Sequence, residues 1–343
     1  MTRVSIKDIA RVANVSHSTV SRALSDSPLV SSETKARIQR LAREMGYSPD
    51  AQARSLVVGR TRTVGVVVTT ITDPFLAEIV QAVENTAHDY GYTVILISSS
   101  ADPARELEAV EMLRSQRVDG VIVTSSRVGS LYQERLEESE VPVVLLNTHR
   151  RQAGPYTFSI TVDNRHGGWL ATEHLIHLGH RRIAYVTGAV NHSDDQERLA
   201  GYRQALEQAG IAFDPALVVP GTGRAGGGER ALPVLTALDE PPTAVFCYND
   251  MTAIGLIHAA RQMGLPVPEA LAVVGFDDIL FASFVQPPLT TVAQPMSEMG
   301  KQALEMVLSL IDDGDSSRGR VTNIVVQGTL IVRESSVAER RST

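Results

Sequence analysis

Two spacings of apolar residues divide the 343-residue chain. Up to about residue 46 they recur every three or four positions, the period of amphipathic helices. Ile9, Ala10 and Ala13 form one such face; Val20, Ala23 and Leu24 form a second; Ile38, Leu41 and Ala42 form a third. Three short helices are expected: about Ser5–Ala13, one capped by Ser16, and about Ser32–Met45. Ser5 can cap the first, with Asp8 three residues on as the reciprocal acid of a capping box. Asn14 suits the tight turn because it tolerates a left-handed backbone. Gly46 stops the third helix. Two helices joined by a tight turn, with His17, Ser18 and Arg22 pointing outward from the start of the second, form a helix-turn-helix. In that motif the N-terminal residues of the second helix meet base edges in the major groove of DNA.

From Thr63 the apolar residues gather into short β-branched runs. TVGVVVTT (63–70) reads as a parallel strand buried on both faces. A helix is expected near 75–90, then TVILISSS (93–100), a helix 104–115, VDGVIVTSS (118–126), a helix near Ser130–Glu138 and VPVVLLN (141–147). The arrangement repeats with FSITVDN (158–164), a helix 168–178, RIAYVTG (182–188), a helix 198–209, AVFCYND (244–250), a helix 252–263 and LAVVGFDD (271–278). After these come a last helix near 295–311 and strands within NIVVQGTLIVRESS (323–336). Such alternation builds doubly wound parallel sheets, and two similar lobes imply a cleft between them. The fold class is an all-α helix-turn-helix head on a two-lobed α/β body. Between them, residues 51–58 form a short helix candidate capped by Asp50 and ended by Gly59. It is too short to stand alone in water and needs DNA or a second copy to fold against. The expected domains are 1–48, a hinge 49–62, and 63–343.

Charge separates the same parts. Residues 1–62 hold eleven Lys and Arg against five Asp and Glu, a net of +6. The whole chain carries −7, which leaves −13 on the body. A basic excess confined to the motif is what phosphate contact requires; Arg3, Lys7, Lys35 and Arg37 are candidates. The single cysteine, Cys247, excludes an internal disulfide framework. The N-terminus has no apolar signal region and no run is long enough to span a membrane. A soluble cytoplasmic protein is expected.

In open α/β sheets, ligands sit beyond the carboxyl ends of the strands. Those ends hold Thr69 to Phe75, Ser126, Asn147, Asp163, His192 to Arg198, Asn249–Asp250 and Asp277–Asp278. Carboxylates, amides and a guanidinium beside an aromatic suit a hydroxylated ring, although Asp250 and Asp278 are also placed to cap the elements after them. There is no GxSxG, Walker loop or HExxH, so neither an enzyme nor a cofactor is expected. His174, His177 and His180 have a spacing that metals use, but they read better as a helix end and a turn. RAGGGER (224–230) is glycine-rich without a clear strand–turn–helix arrangement around it.

SIKDIARVANVSHSTVSRAL (5–24) and VSSETKARIQRLAREMGYSPDAQARSL (30–56) resemble the LacI/GalR family of bacterial transcription regulators. So do GRTRTVGVVV, DPFLAEIVQAVE, RVDGVIV, VDNRHGG, LGHRRIAYVTG, RLAGYRQAL, YNDMTAIGL, VVGFDD and PPLTTV further along. The resemblance implies a homodimer on a near-palindromic DNA operator, with a periplasmic-binding-protein-like body that binds an effector. His17 and Ser18 would then read bases, with Arg22 as the base-contacting arginine. Ser16, Thr19 and Ser21 would contact phosphate or cap. Arg54 and Leu56 would lie on the hinge helix, Leu56 wedged into the minor groove. In the cleft Phe75 would stack, and Asn147, Asp163, Arg198, Asn249, Asp277 and Gln294 would make polar contacts. The resemblance implies a repressor with a sugar effector; the alternative is a nucleobase- or phosphoprotein-responsive corepressor type. Asn147 departs from an Asp common in the family, and no aromatic closes the pocket near Gly223. The chain ends without a leucine heptad, which favours a dimer over a tetramer.

Overall fold

In the computed structural model the described residues are 4–47, 59–125, 141–147, 157–188, 193–313 and 323–337. The hinge with Arg54 and Leu56, the helix expected near 130–138, and Arg3, Ser126 and His192 lie outside them. The chain forms two compact units, Met1–Thr61 and Arg62–Thr343.

The first unit holds helices α1 (Ile6–Ala13), α2 (His17–Leu24) and α3 (Ser32–Glu44). Ser5 and Asp8 form the expected capping box, with the Ser5 amide donating to Asp8 Oδ2 at 3.0 Å. Asn14 takes a left-handed φ of 50° and turns the chain. Ser16 Oγ accepts the Thr19 amide at 3.1 Å and starts α2. Ile9, Ala13, Val20, Ala23, Ile38 and Ala42 close into one small core.

The second unit holds two six-stranded sheets. Its elements begin β1 (Thr63–Val68), α4 (Pro74–Asp89), β2 (Thr93–Ser98), α5 (Pro103–Ser115), β3 (Gly120–Thr124), β4 (Val143–Leu146) and β5 (Thr157–Val162). They continue with α6 (Asn164–His177), β6 (Ile183–Val186), α7 (Ser193–Gln208), β7 (Val218–Val219), α8 (Ala225–Thr236), β8 (Ala244–Cys247), α9 (Asp250–Gln262) and β9 (Ala272–Asp277). The last are β10 (Thr290–Ala293), α10 (Met296–Asp313), β11 (Asn323–Val326) and β12 (Thr329–Ile331). The first sheet runs β11-β5-β4-β3-β1-β2 and the second β12-β10-β9-β8-β6-β7. Among the described residues only the β10–β12 pairing is antiparallel. Both faces of β1 are buried, as its β-branched run predicts: Val64, Val66 and Val68 face one core and Val67 the other.

The structure corrects three readings. β5, expected to open the second lobe, pairs with β4 in the first sheet, and β11 joins that sheet beside β5. The lobes are therefore not consecutive in sequence: α10 also packs in the first lobe's core through Met299, Leu304 and Val307. The helices at 164 and 193 begin earlier than expected: Asp163 caps the first, and Gly167, Gly168 and Gly201 lie inside tightly packed helices. A Cβ on Gly168 would stand 2.3 Å from Arg198 O, and one on Gly201 2.0 Å from Arg165 O. Finally, RAGGGER does follow a strand and open a helix: after β7, Arg224 is the N-cap residue and residues 225–230 form the first turns of α8. Its Gly228 packs against the α9 backbone, where a Cβ would stand 1.9 Å from Thr252 O.

Candidate functional site

The outward face of α2 is built by its cap and its buried side. Val20 and Ala23 face the core, which leaves Ser16, His17, Ser18, Ser21 and Arg22 exposed and Thr19 half-buried. Ser16 Oγ lies 2.8 Å from both Ser18 Oγ and Thr19 Oγ1. The Arg22 side chain is exposed and has no hydrogen bond or ion pair among the described residues. Two of the phosphate candidates have other work. Lys35 Nζ pairs with Asp26 Oδ1 at 2.8 Å, and Arg37 Nη2 donates to Ala13 O at 2.6 Å. They brace the three-helix unit; Lys7 stays exposed.

In the body, the carboxyl ends of strands from both sheets converge on a cavity of about 130 Å³. Phe75, Asn147, Arg198, Asn249, Asp277 and Gln294 all line it. Asp163 does not. It comes directly after β5 and its carboxylate is taken up in capping α6, accepting the His166 amide at 2.9 Å. It lies instead in a surface groove with Trp169 and Gln208. Tyr248, Thr222 and Arg224 line the cavity without having been expected there. The signal for Tyr248 was its place directly after β8, one residue before Asn249.

Arg198 comes from α7 and is 3% exposed. Its Nε donates to Asn164 Oδ1 at 2.8 Å and its Nη1 to Tyr248 O at 2.6 Å. The guanidinium carbon lies 3.6 Å from the Phe276 ring centroid and 4.6 Å from that of Tyr248, a cation–π arrangement. Burial opposes its charge, but Tyr248, Asp277 and Asp194 more than offset this and hold its pKa up. Asp277 lies 3.7 Å from Nη1 and accepts from Gln294 Nε2 at 2.7 Å. Burial raises the Asp277 carboxyl well above the usual range, and Arg198 offsets part of that rise. Asp277 and Asp278 adopt φ of 120° and 60°, positions that cost non-glycine residues energy unless their surroundings hold them. Arg333 grips Asp278 at 2.7 Å, and Asp250 Oδ2 accepts the Ile279 amide at 2.9 Å.

Asn249, not Asp250, caps α9. Its Oδ1 accepts the Thr252 amide at 3.0 Å and its Nδ2 donates to Gly223 O at 3.0 Å. Across the cleft, Asp73 caps α4; burial raises its carboxyl, and Arg224 works against that rise. Two amides are left open. Asn147 Oδ1 and Gln294 Oε1 are buried acceptors without a hydrogen-bond partner among the described residues. The two outer histidines of the trio pair with hydroxyls: His174 Nε2 with Ser336 and His180 Nδ1 with Thr243, each at 2.9 Å.

A helix-turn-helix and a ligand-sized cleft on one chain define a class, the DNA-binding regulator controlled by a small ligand. Residues 5–50 match the bacterial regulatory proteins of the lacI family, and residues 172–336 match a periplasmic binding protein-like domain. The chain is 36% identical over 338 residues to the HTH-type transcriptional repressor PurR of Aliivibrio fischeri, covering 98% of both. It superposes with a TM-score of 0.88 on the Lac repressor dimer bound to operator and the anti-inducer ONPF, at 27% identity over 98% of this chain and 100% of that one. The CelR–cellobiose complex gives a TM-score of 0.73 at 31% identity, over 97% and 100%. The chain belongs to the lacI family of bacterial regulatory proteins. It is a DNA-binding transcriptional repressor whose activity an effector controls.

Proposed function

We propose that the protein represses transcription as a homodimer on operator DNA, and that a sugar bound in the cleft sets its affinity for that DNA. The observation that carries the sugar is the pair of open acceptors, Asn147 Oδ1 and Gln294 Oε1, in a cavity that also holds Asp277. An unsatisfied buried acceptor costs about 1–3 kcal/mol, and the hydroxyls of a sugar supply the missing donors. Phe75 covers the apolar face of the ring. Arg198, Asp277 and Gln294 hold its hydroxyls, Asn249 lends the cavity shape through its cap, and Asp163 serves only as a cap.

On the DNA side, His17, Ser18 and Arg22 read base edges while Ser16, Thr19 and Ser21 set α2 against phosphates. Arg54 and Leu56 extend the contact through the hinge, and residues 1–48, 49–62 and 63–343 are the functional divisions. Leu280, Phe281 and Phe284, at 67%, 51% and 75% exposure, offer the second copy an apolar surface. No helix of the described residues is long and apolar enough to cross a membrane. The protein works in the cytoplasm beside the genome and catalyses no reaction. A nucleobase corepressor is the second reading, favoured by the whole-length similarity to the repressors named PurR.

A thermal-shift series with ribose, glucose, adenine and hypoxanthine tests the ligand class. A binder at 100 times its Kd stabilises the body by about 2.7 kcal/mol. A gel shift with that compound then shows whether operator affinity falls or rises. Stabilisation by the bases alone would replace the sugar with the second reading. In the same gel shift, Arg22→Ala should lose about 1–3 kcal/mol of preference for operator over scrambled duplex with ligand binding intact.

A further inference from the structure

Asp277 ends β9 and lines the cavity, while its neighbour Asp278 and the distant Arg333 do not. Asp277 and Asp278 have φ of 120° and 60°, conformations that a side-chain-bearing residue keeps only where its surroundings impose them. On the backbone, the Gln294 amide donates to Asp277 O at 3.1 Å, and the Ile279 amide donates to Asp250 Oδ2 at 2.9 Å. On the side chain, Arg333 Nη2 lies 2.7 Å from Asp278 Oδ1.

Arg333 is itself anchored. Its amide donates to Thr290 Oγ1 and that hydroxyl donates back to its carbonyl, each at 2.8 Å. Its Nη1 donates to Leu289 O at 2.8 Å. Two residues on, Ser335 O accepts the Val273 amide at 2.8 Å and Ser335 Oγ donates to Val273 O at 2.6 Å. Residues 333–335 thus tie together the starts of β9 and β10, the two strands whose other ends lead to Asp277 and Gln294. The guanidinium reaches from this tie to the strained turn.

Charge adds to the grip. Burial raises the carboxyls of Glu78 and Asp250, and the Asp278 charge adds to both rises. Glu78 stands on α4 in the first lobe, so the acids around Asp278 come from both sides of the cleft. Arg333 is the cation paired with Asp278 among them. Without it, repulsion and backbone strain both drive Asp278 to relax. Asp277 shares a peptide bond with it and would move too.

We propose that Arg333 is a positioning residue for the effector: by holding Asp278 in its left-handed conformation, it keeps the Asp277 carboxylate turned into the cavity. The proposal rests on the reading of this cavity as the effector site. It assigns a part in ligand binding to a residue that touches no ligand.

The test is calorimetry on the full chain with ribose, glucose, adenine and hypoxanthine. The parent should bind at least one of them, and Arg333→Ala should weaken that compound at least tenfold. Arg333→Lys keeps the charge, but one ammonium replaces a fork that serves both Asp278 and Leu289 O, so its affinity should fall between the two. Asp278→Gly, added to Arg333→Ala, is the decisive variant. Glycine takes a positive φ freely and removes the carboxylate left without its cation, so affinity should return to within about threefold of the parent. Circular dichroism checks folding; if Arg333→Ala does not fold, Arg333→Gln takes its place, alone and with Asp278→Gly. Affinity within twofold of the parent in the folded single variant overturns the proposal and leaves Arg333 as an anchor of the C-terminal segment. A loss that Asp278→Gly does not recover overturns it as well, because the effect would then not pass through the turn. Both results leave the effector site standing. Absence of binding by any of the four compounds to the parent overturns both readings.

Discussion

Asp250 is a carboxylic acid with no route to water. It is fully buried at the start of α9, where Oδ1 accepts the Thr291 hydroxyl at 2.5 Å and Oδ2 the Ile279 amide at 2.9 Å. Burial raises its pKa to about 7, and those two hydrogen bonds limit the rise. The unfolded chain releases this proton near pH 4. Between about pH 4 and 7 the folded state therefore holds a proton that the unfolded state has lost, and stability falls as pH rises through that window. Below pH 4 the contribution is complete; above pH 7 it is gone. Each pH unit inside the window costs up to about 1.4 kcal/mol from this group alone. Asp250→Asn removes the titration and mispairs one of the two hydrogen bonds. The variant should be less stable than the parent near pH 4.5, with the gap narrowing toward pH 7. Urea denaturation at half-unit steps of pH measures this, and a gap that stays constant across the range excludes the buried proton.

At the scale of elements, small residues decide which helices touch. α8 and α9 cross where Gly228 meets Thr252 O and Gly255 meets Ala225 O, each at 1.9 Å from a hypothetical Cβ. Backbone cannot yield there as the end of a side chain could. Gly226, two residues before Gly228, differs: a Cβ there would meet only Arg230 Nη1, at 3.3 Å, the far end of a flexible chain. Alanine is favoured over glycine in a helix by up to about 1 kcal/mol, while overpacking a tight contact costs about 1–3 kcal/mol. Gly228→Ala should lower the melting temperature of the body by a few degrees, and Gly226→Ala should leave it unchanged or raise it. Calorimetric melting of both variants makes the comparison. Equal shifts would mean that the crossing is not close enough to matter. The glycine-rich run could not be understood from its composition, because its partner backbone comes from another helix.

The whole molecule keeps opposite charges on separate units, +6 on residues 1–62 and −13 on the rest. Non-specific DNA binding is mostly phosphate charge and falls steeply with salt. In the proposed function, specific binding would add base contacts and the hinge. Leu56, placed by the family resemblance at the operator centre, would pry base pairs apart at a cost of a few kcal/mol per step, recovered in the bent complex. Leu56→Ala should weaken operator binding far more than binding to random duplex, and the induced bend should shrink. Titrations on both duplexes with circular permutation of the operator site check this. Parallel losses with an unchanged bend would assign Leu56 to packing within the linker.

The sequence by itself determined the local structure. Ser5, Asn14 and Ser16 dictate their caps and turn through atoms a few residues away, and the run at 63–68 dictates a buried strand through β-branching. It also located much of the cleft: Phe75, Asn147 and Asp277 lie in the stretches read as strand ends and Arg198 in the segment after RIAYVTG, while Gln294 came only from the family resemblance. Only the tertiary structure decided what depends on distant neighbours. β5 and β11 share a sheet although about 160 residues separate them in register, Ser159 opposite Asn323. Asp163 is spent on a cap while Asn249, also a cap, still faces the cavity. Tyr248 became a wall because Gly188, Gly223 and Arg198, each remote from it in sequence, leave one space for its ring. Backbone propensity and capping act over a few residues and leave a record in the sequence; the shape of a cavity is a sum over long-range contacts that no single stretch of sequence contains.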